Sequence, residues 1–183
     1  MIKQLARFAL WIGRWSVDGE IPDDKKAIIL SAPHTSSWDF VWGELCFLRM
    51  GMHSYTLMKK EYFFFPLGNL LKALRVIPVD RGRRDSNLIQ TLVEEFSKRD
   101  HMYLCITPEG SRKKRKQWKK GFLVIAAAAN VPIYLGRIDY KNRTCSFGAR
   151  FESSGDIDAD LKAVMDSYAD ANPKYPEHFS NGN

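Results

Sequence analysis

Short apolar runs alternate with amphipathic stretches along most of this chain. Residues 27–32 are a brief apolar run, the pattern of a strand buried within a sheet, and 54–58, 76–79 and 102–106 read as further strands. Between them, 38–50 and 66–74 read as helices. The clearest helix is 85–98, where Leu88, Ile89, Leu92, Val93 and Phe96 make one apolar stripe. Residues 122–129 are apolar all round and predict a buried helix, and 131–138 with 144–151 flank Lys141-Asn142-Arg143 as a hairpin would. Residues 156–171 predict a closing helix, acidic in its first turn, with Ile157, Leu161, Val164, Met165 and Tyr168 inward. A loose tail, 173–183, is expected after it. The alternation implies an α/β domain: a mixed, mostly parallel sheet flanked by helices.

At the N-terminus, Ile2, Leu5, Phe8, Ala9, Ile12 and Trp15 recur at helical spacing among Lys3, Arg7 and Arg14. The apolar run is too short for a signal peptide and no small-residue cleavage site follows it. Two placements stay open for residues 1–18: a helix docked on the domain's own core, or an amphipathic helix in a membrane interface with Trp11 and Trp15 at headgroup depth. Composition narrows the classes. The chain has 183 residues, 45% of them hydrophobic, enough for one real core. No stretch approaches the roughly 18 apolar residues of a spanning helix. Cys46, Cys105 and Cys145 are odd in number and dispersed, which argues against a disulfide framework and for a reducing compartment. The 28 Lys and Arg against 21 Asp and Glu leave +7, which calls for a polyanionic partner: nucleic acid, an anionic bilayer or phosphorylated metabolites.

The chemistry starts at Pro33-His34-Thr35-Ser36-Ser37-Trp38-Asp39, between a predicted strand and a predicted helix. On one continuous helix His34 and Asp39 would lie about 140° apart, on different faces. They meet only if His34 is in the loop and Asp39 in the first helical turn. Pro33 supplies the break, and Thr35, Ser36 or Ser37 the N-cap. A carboxylate on one imidazole nitrogen leaves the other free as a base; the plainer alternative is a capping loop whose His and Asp are surface polar groups. No Gly-x-Ser-x-Gly elbow or catalytic cysteine accompanies the pair, and His53, His101 and His178 lack zinc-ligand spacing, so no metal is expected. Such a base suits direct attack by a substrate hydroxyl on an activated carbonyl or phosphoryl group. Arg81, Arg83 and Arg84 follow one predicted strand, and Glu109-Gly110-Ser111-Arg112 another. Strand ends of α/β sheets are where ligands collect, and arginine grips phosphate with two parallel bonds.

Together these segments resemble the lysophospholipid acyltransferases, the superfamily of 1-acyl-glycerol-3-phosphate acyltransferases. The family's His-x-x-x-x-Asp stands as His34 to Asp39, and its arginine-bearing loop as the stretch from Lys60-Glu61 through Pro66-Leu67-Gly68 to Val79-Asp80-Arg81. Its Glu-Gly-Thr-Arg is similar to Glu109-Gly110-Ser111-Arg112, with Ser for Thr, and its Val-Pro-Ile to Val131-Pro132-Ile133. The resemblance implies a glycerolipid acyltransferase fold with a catalytic domain at 19–172. It implies a fatty acyl transfer from acyl-CoA or acyl carrier protein, as co-substrate and without a cofactor, to a lysophospholipid hydroxyl. The acceptor it favours is 1-acyl-glycerol-3-phosphate, giving phosphatidate. His34 would be the base and Asp39 its support. Arg81 and Arg112 would hold the acceptor's phosphate, Glu109 would orient the acceptor or the phosphate-binding arginine, Ser111 would keep the motif's hydroxyl, and the Gly110 N–H would face the oxyanion.

It further implies a peripheral or monotopic enzyme on the cytoplasmic face of the cell membrane. Another lyso-lipid acceptor, such as a lyso-aminoacyl lipid, stays open. So does a non-catalytic basic protein on anionic membrane or nucleic acid, although no nucleic acid is expected beside the acyltransferase motifs. The run Lys113-Lys114-Arg115-Lys116-Gln117-Trp118-Lys119-Lys120 would then face anionic headgroups or the phosphates of coenzyme A. Tyr62-Phe63-Phe64-Phe65-Pro66 is either core or an acyl channel opening on the bilayer.

Overall fold

The computed structural model describes residues 2–79 and 85–182, without the side chains of 85–87. Arg81, Arg83 and Arg84 lie outside the described residues. Helix α1 (Ile2–Gly13) leads into the short strand β1 (Ser16–Asp18). Then come β2 (Lys26–Ala32), α2 (Trp38–Met50), β3 (Ser54–Lys59), α3 (Leu67–Ala73) and β4 (Val76–Val79). The chain continues through α4 (Asp85–Lys98), β5 (Met102–Ile106), α5 (Gly121–Ala129), the hairpin β6 (Ile133–Asp139) and β7 (Thr144–Phe151), and α6 (Ile157–Asp166). One sheet holds the strands in the order β1-β7-β6-β2-β5-β3-β4, parallel throughout except where β6 meets β7.

Each face of the sheet has its own core. Ile28 and Leu30 of β2 join Leu92 and Phe96 of α4, Phe122 and Ile125 of α5, and Leu161 and Val164 of α6. Ile29, one residue out of phase and so on the opposite face, joins Leu10 of α1, Cys46 and Phe47 of α2, and Ile138 and Phe147 of the hairpin. With both faces covered, β2 is buried almost without alternation, which is why its sequence reads as a plain apolar run.

One open placement is narrowed and three expectations are corrected. In α1 the buried residues are Ala6 and Leu10, while Ile2, Leu5, Phe8, Trp11 and Ile12 stay exposed. The helix docks by its narrow side because Gly13 admits the ring of Trp42 where a Cβ would meet it at 2.5 Å. Helix α5 is not buried all round, for Ala127 and Ala128 face solvent. Helix α6 stops at Asp166, short of the expected Ala171, and Ile157 points outward. Tyr168 is nonetheless buried beyond that end, its hydroxyl donating to Gly136 O at 3.0 Å.

Nor is the tail loose. Trp118, from the basic run, is buried; its Nε1 donates to Ser180 O at 2.8 Å and its ring meets Tyr168 and Phe179. The cations on either side of it, Lys113 to Lys116 with Lys119 and Lys120, remain exposed. Trp118→Ala removes both the packing and the tail's anchor, and should cost about 3–5 kcal/mol in urea unfolding. A loss of under about 1 kcal/mol, the range of an ordinary surface change, would show that the docked tail adds nothing to the fold.

Candidate active site

Strands β2 and β5 run parallel, so the loops after them leave the sheet at one edge. The chain moves from β2 to β3 across β5 and returns from β5 to β6 across β2, so the connections change direction beside β2, the place in such sheets where ligands collect. Leu30 pairs with Ile106; three residues further along both strands, the register sets Glu109 level with Pro33 and next to His34. The Glu109 side chain closes that gap: its Oε1 accepts the His34 N–H at 2.7 Å. Arg112 of the same loop donates to the Ser37 hydroxyl.

His34 Nδ1 lies 3.2 Å from Asp39 Oδ2, with Asp39 only 2% exposed. The same oxygen accepts the N–H groups of Thr35 and Ser36, each at 2.8 Å. Asp39 therefore organises the loop itself. The hydroxyl N-cap expected from Thr35, Ser36 or Ser37 does not form; Ser37 at the cap position makes no side-chain cap bond, and Ser36 Oγ takes the Trp38 N–H instead. The arrangement commits Nδ1 to Asp39 and leaves Nε2 as the nitrogen open to a substrate proton.

The second loop departs from expectation at one atom. The Gly110 N–H donates to Thr107 O at 3.0 Å, so it closes a turn rather than facing an oxyanion. Gly110 has φ +63°, and a Cβ there would press on the Lys119 stem at 3.0 Å, so the turn requires glycine. Ser111 Oγ accepts the Lys113 N–H within its own loop. Beyond the motif residues, the tail reaches the site: Tyr175 N–H donates to Thr35 Oγ1 at 3.3 Å. The Tyr140 hydroxyl donates to Asp39 Oδ1 at 2.6 Å. Neither contact has a sequence signal, since both partners are distant in the chain. Beside Tyr140 a cavity of about 360 Å³ is walled by Trp15, Trp38 and Trp42, with Arg143 and Lys174 also lining it. Among the described residues no group of His, Cys, Asp or Glu could hold a metal ion.

Glu109 is 5% exposed and its Oε2 has no hydrogen-bond partner among the described residues. Burial pushes its carboxyl from the ordinary 4.5 up to about 7, against the pull of the His34 N–H. A carboxyl that holds its proton more tightly folded than unfolded supports the fold fully below about pH 4.5 and loses that support as pH rises through about 7. Across that window the wild type should lose up to about 3 kcal/mol of stability relative to Glu109→Gln. Urea unfolding of both proteins over pH 4.5 to 8 checks this, and parallel pH profiles would contradict it.

A family model described as Acyltransferase matches residues 15–135. Comparison with curated protein sequences gives no match. Among solved structures, the 1-acyl-sn-glycerophosphate (LPA) acyltransferase PlsC from Thermotoga maritima is similar in fold, with a TM-score of 0.61 at 18% sequence identity. The match covers 92% of this chain and 78% of that one. The matched region takes in β1 to β5 and both motif loops, and on that ground this chain belongs to the Acyltransferase family.

Proposed function

We propose that this acyltransferase esterifies a lysophospholipid, 1-acyl-glycerol-3-phosphate being the acceptor we favour and phosphatidate the product. The observation that carries the reading is the contact between His34 Nδ1 and buried Asp39, with Arg112 brought to the same loop through Ser37. His34 Nε2 takes the proton of the acceptor's hydroxyl, and that oxygen attacks the thioester carbonyl of acyl-CoA or acyl carrier protein. The tetrahedral intermediate collapses with cleavage of the C–S bond, and the imidazolium returns the proton to the departing thiolate. Asp39 steadies the imidazolium in between. Arg112, with Arg81 by analogy, holds the acceptor's phosphate. The similar Thermotoga structure is named for an acceptor of this class, which supports extending the reading to this chain.

The surface suits a lipid substrate. Phe8, Trp11 and Ile12 of α1 are exposed, Trp11 to 72%, and so are Phe64 and Phe65, the latter to 84%. The aromatic stretch 62–65 is thus not core, and we keep its alternative, an acyl channel opening on the bilayer. Among the described residues no helix is long and apolar enough to cross a membrane. We place α1 in the interface, with the exposed cations of residues 113–120 facing anionic headgroups of the cytoplasmic leaflet.

Thiol release from acyl-CoA and from acyl carrier protein, measured across a panel of lyso-lipids, tests the chemistry. His34→Ala should lower turnover by about 10²–10⁴-fold with an unchanged melting temperature; near-normal turnover in that variant would remove the mechanism, and no thiol release with any acceptor would favour a binding protein. For the surface, Phe8→Glu with Trp11→Glu should abolish sedimentation with vesicles containing phosphatidylglycerol. Full vesicle binding by that double variant would show that α1 is not the anchor.

A further inference from the structure

The dyad has a third member that the motif does not contain. Asp39 Oδ2 accepts the N–H groups of Thr35 and Ser36 and lies 3.2 Å from His34 Nδ1, while Oδ1 accepts the Tyr140 hydroxyl. We propose that Tyr140 is a positioning residue for acyl transfer, fixing the plane of the Asp39 carboxylate and through it the orientation of His34. This rests on His34 being the base.

A carboxylate gripped at one oxygen can still turn about its Cβ–Cγ bond; a strong donor on the other oxygen fixes the plane. The register delivers that donor. Ala32 of β2 pairs with Arg137 of β6, so three residues further along Tyr140 comes level with Thr35. The tyrosine is itself held at its backbone and at one edge of its ring. Its N–H donates to Asn172 O at 2.9 Å, and its ring meets Trp15 edge-on at 5.1 Å. The neighbouring Asp139 carboxylate accepts from the Asn142 N–H, Asn142 Nδ2 and Asn172 Nδ2, tying the hairpin turn to the tail. Burial and the Asp39 hydrogen bond both raise the phenol above its ordinary range, so Tyr140 stays a donor at any pH at which the enzyme works. Tyr140 also lies beyond residues 15–135, the part the family model matches. The support therefore comes from outside the region that carries the motifs.

Other charged or titratable groups around the trio are Glu109 and Arg112 from the loop after β5, Cys145 from β7, and Lys174 and Tyr175 from the tail. None of them donates to Asp39 Oδ1 among the described residues, so removing the phenol's hydroxyl isolates one bond. Tyr140→Phe keeps the ring and its contact with Trp15. In the thiol-release assay with the best acceptor of the panel, kcat should fall at least about 10-fold while KM for donor and acceptor changes by less than about 2-fold. The acid limb of the pH–rate profile should also move to higher pH, because a carboxylate with one donor fewer holds the imidazolium proton more strongly. A kcat within about 2-fold of wild type would overturn the proposal. A fall in kcat with an unmoved acid limb and a matching loss of melting temperature would overturn it too, reducing Tyr140 to a packing role. His34→Ala, assayed alongside, separates the two readings. An active His34→Ala removes the dyad and Tyr140's role with it, whereas an inactive one beside a fully active Tyr140→Phe removes only the latter.

Discussion

A carboxylate taken out of water must be surrounded by donors, or it costs several kcal/mol. Asp39 is such a group, and the site is arranged around its demand. Two backbone N–H groups turn back toward it because the chain bends between Pro33 and α2. The imidazole joins them because His34 stands at the head of that bend. A further donor comes from the turn just past β6, and is within reach because β6 lies directly beside β2. The bend and the neighbouring strand thus serve one desolvated group. A base whose direction is fixed in this way needs no reorganisation when the substrate's hydroxyl arrives.

The two faces of the sheet divide the work differently. Helices α4, α5 and α6 bury large apolar stripes on one face and give it most of the core. Helix α1 does the opposite on the other face, touching the protein through Ala6, Leu10 and the gap at Gly13 and leaving its bulky side chains outside. Small residues allow close backbone approach while the large ones remain for a second environment. A water-facing helix would ordinarily be patterned the other way round.

What could be read in the sequence depended on how local its cause was. The bounds of α2 were legible to the residue, since Pro33 and the serines break the chain before Trp38, and Gly51 ends the helix in a left-handed turn. Strand β2 was legible because burial on both faces leaves an almost unbroken apolar run, and β3 to β5 from their short, mostly apolar stretches between helical patterns. The motifs placed His34, Asp39, Glu109 and Arg112, and the sheet order brought them together. The errors arose where tertiary contact overrides pattern. Tyr168 is as buried as a helical position would be, yet turns carry it, so periodicity overran the end of α6. The stripe on α1 is real, but its placement stayed open because Ala6, Leu10 and the gap at Gly13, not the bulk of the stripe, decide the docking. Tyr140 and the tail were invisible, for no spacing rule links them to His34 or Asp39.

The separations along the chain have one more consequence. The bonds that frame the catalytic loop join residues 75, 101 and 140 positions apart: His34 to Glu109, Asp39 to Tyr140, and Thr35 to Tyr175. Contacts of that span close only after most loop entropy has been lost, so they form late as the chain collapses. The central strand pairs span just as much chain, Ile28 to Leu104 and Ile28 to Ile133, so the catalytic loop is framed by the same long-range closures that assemble the middle of the sheet.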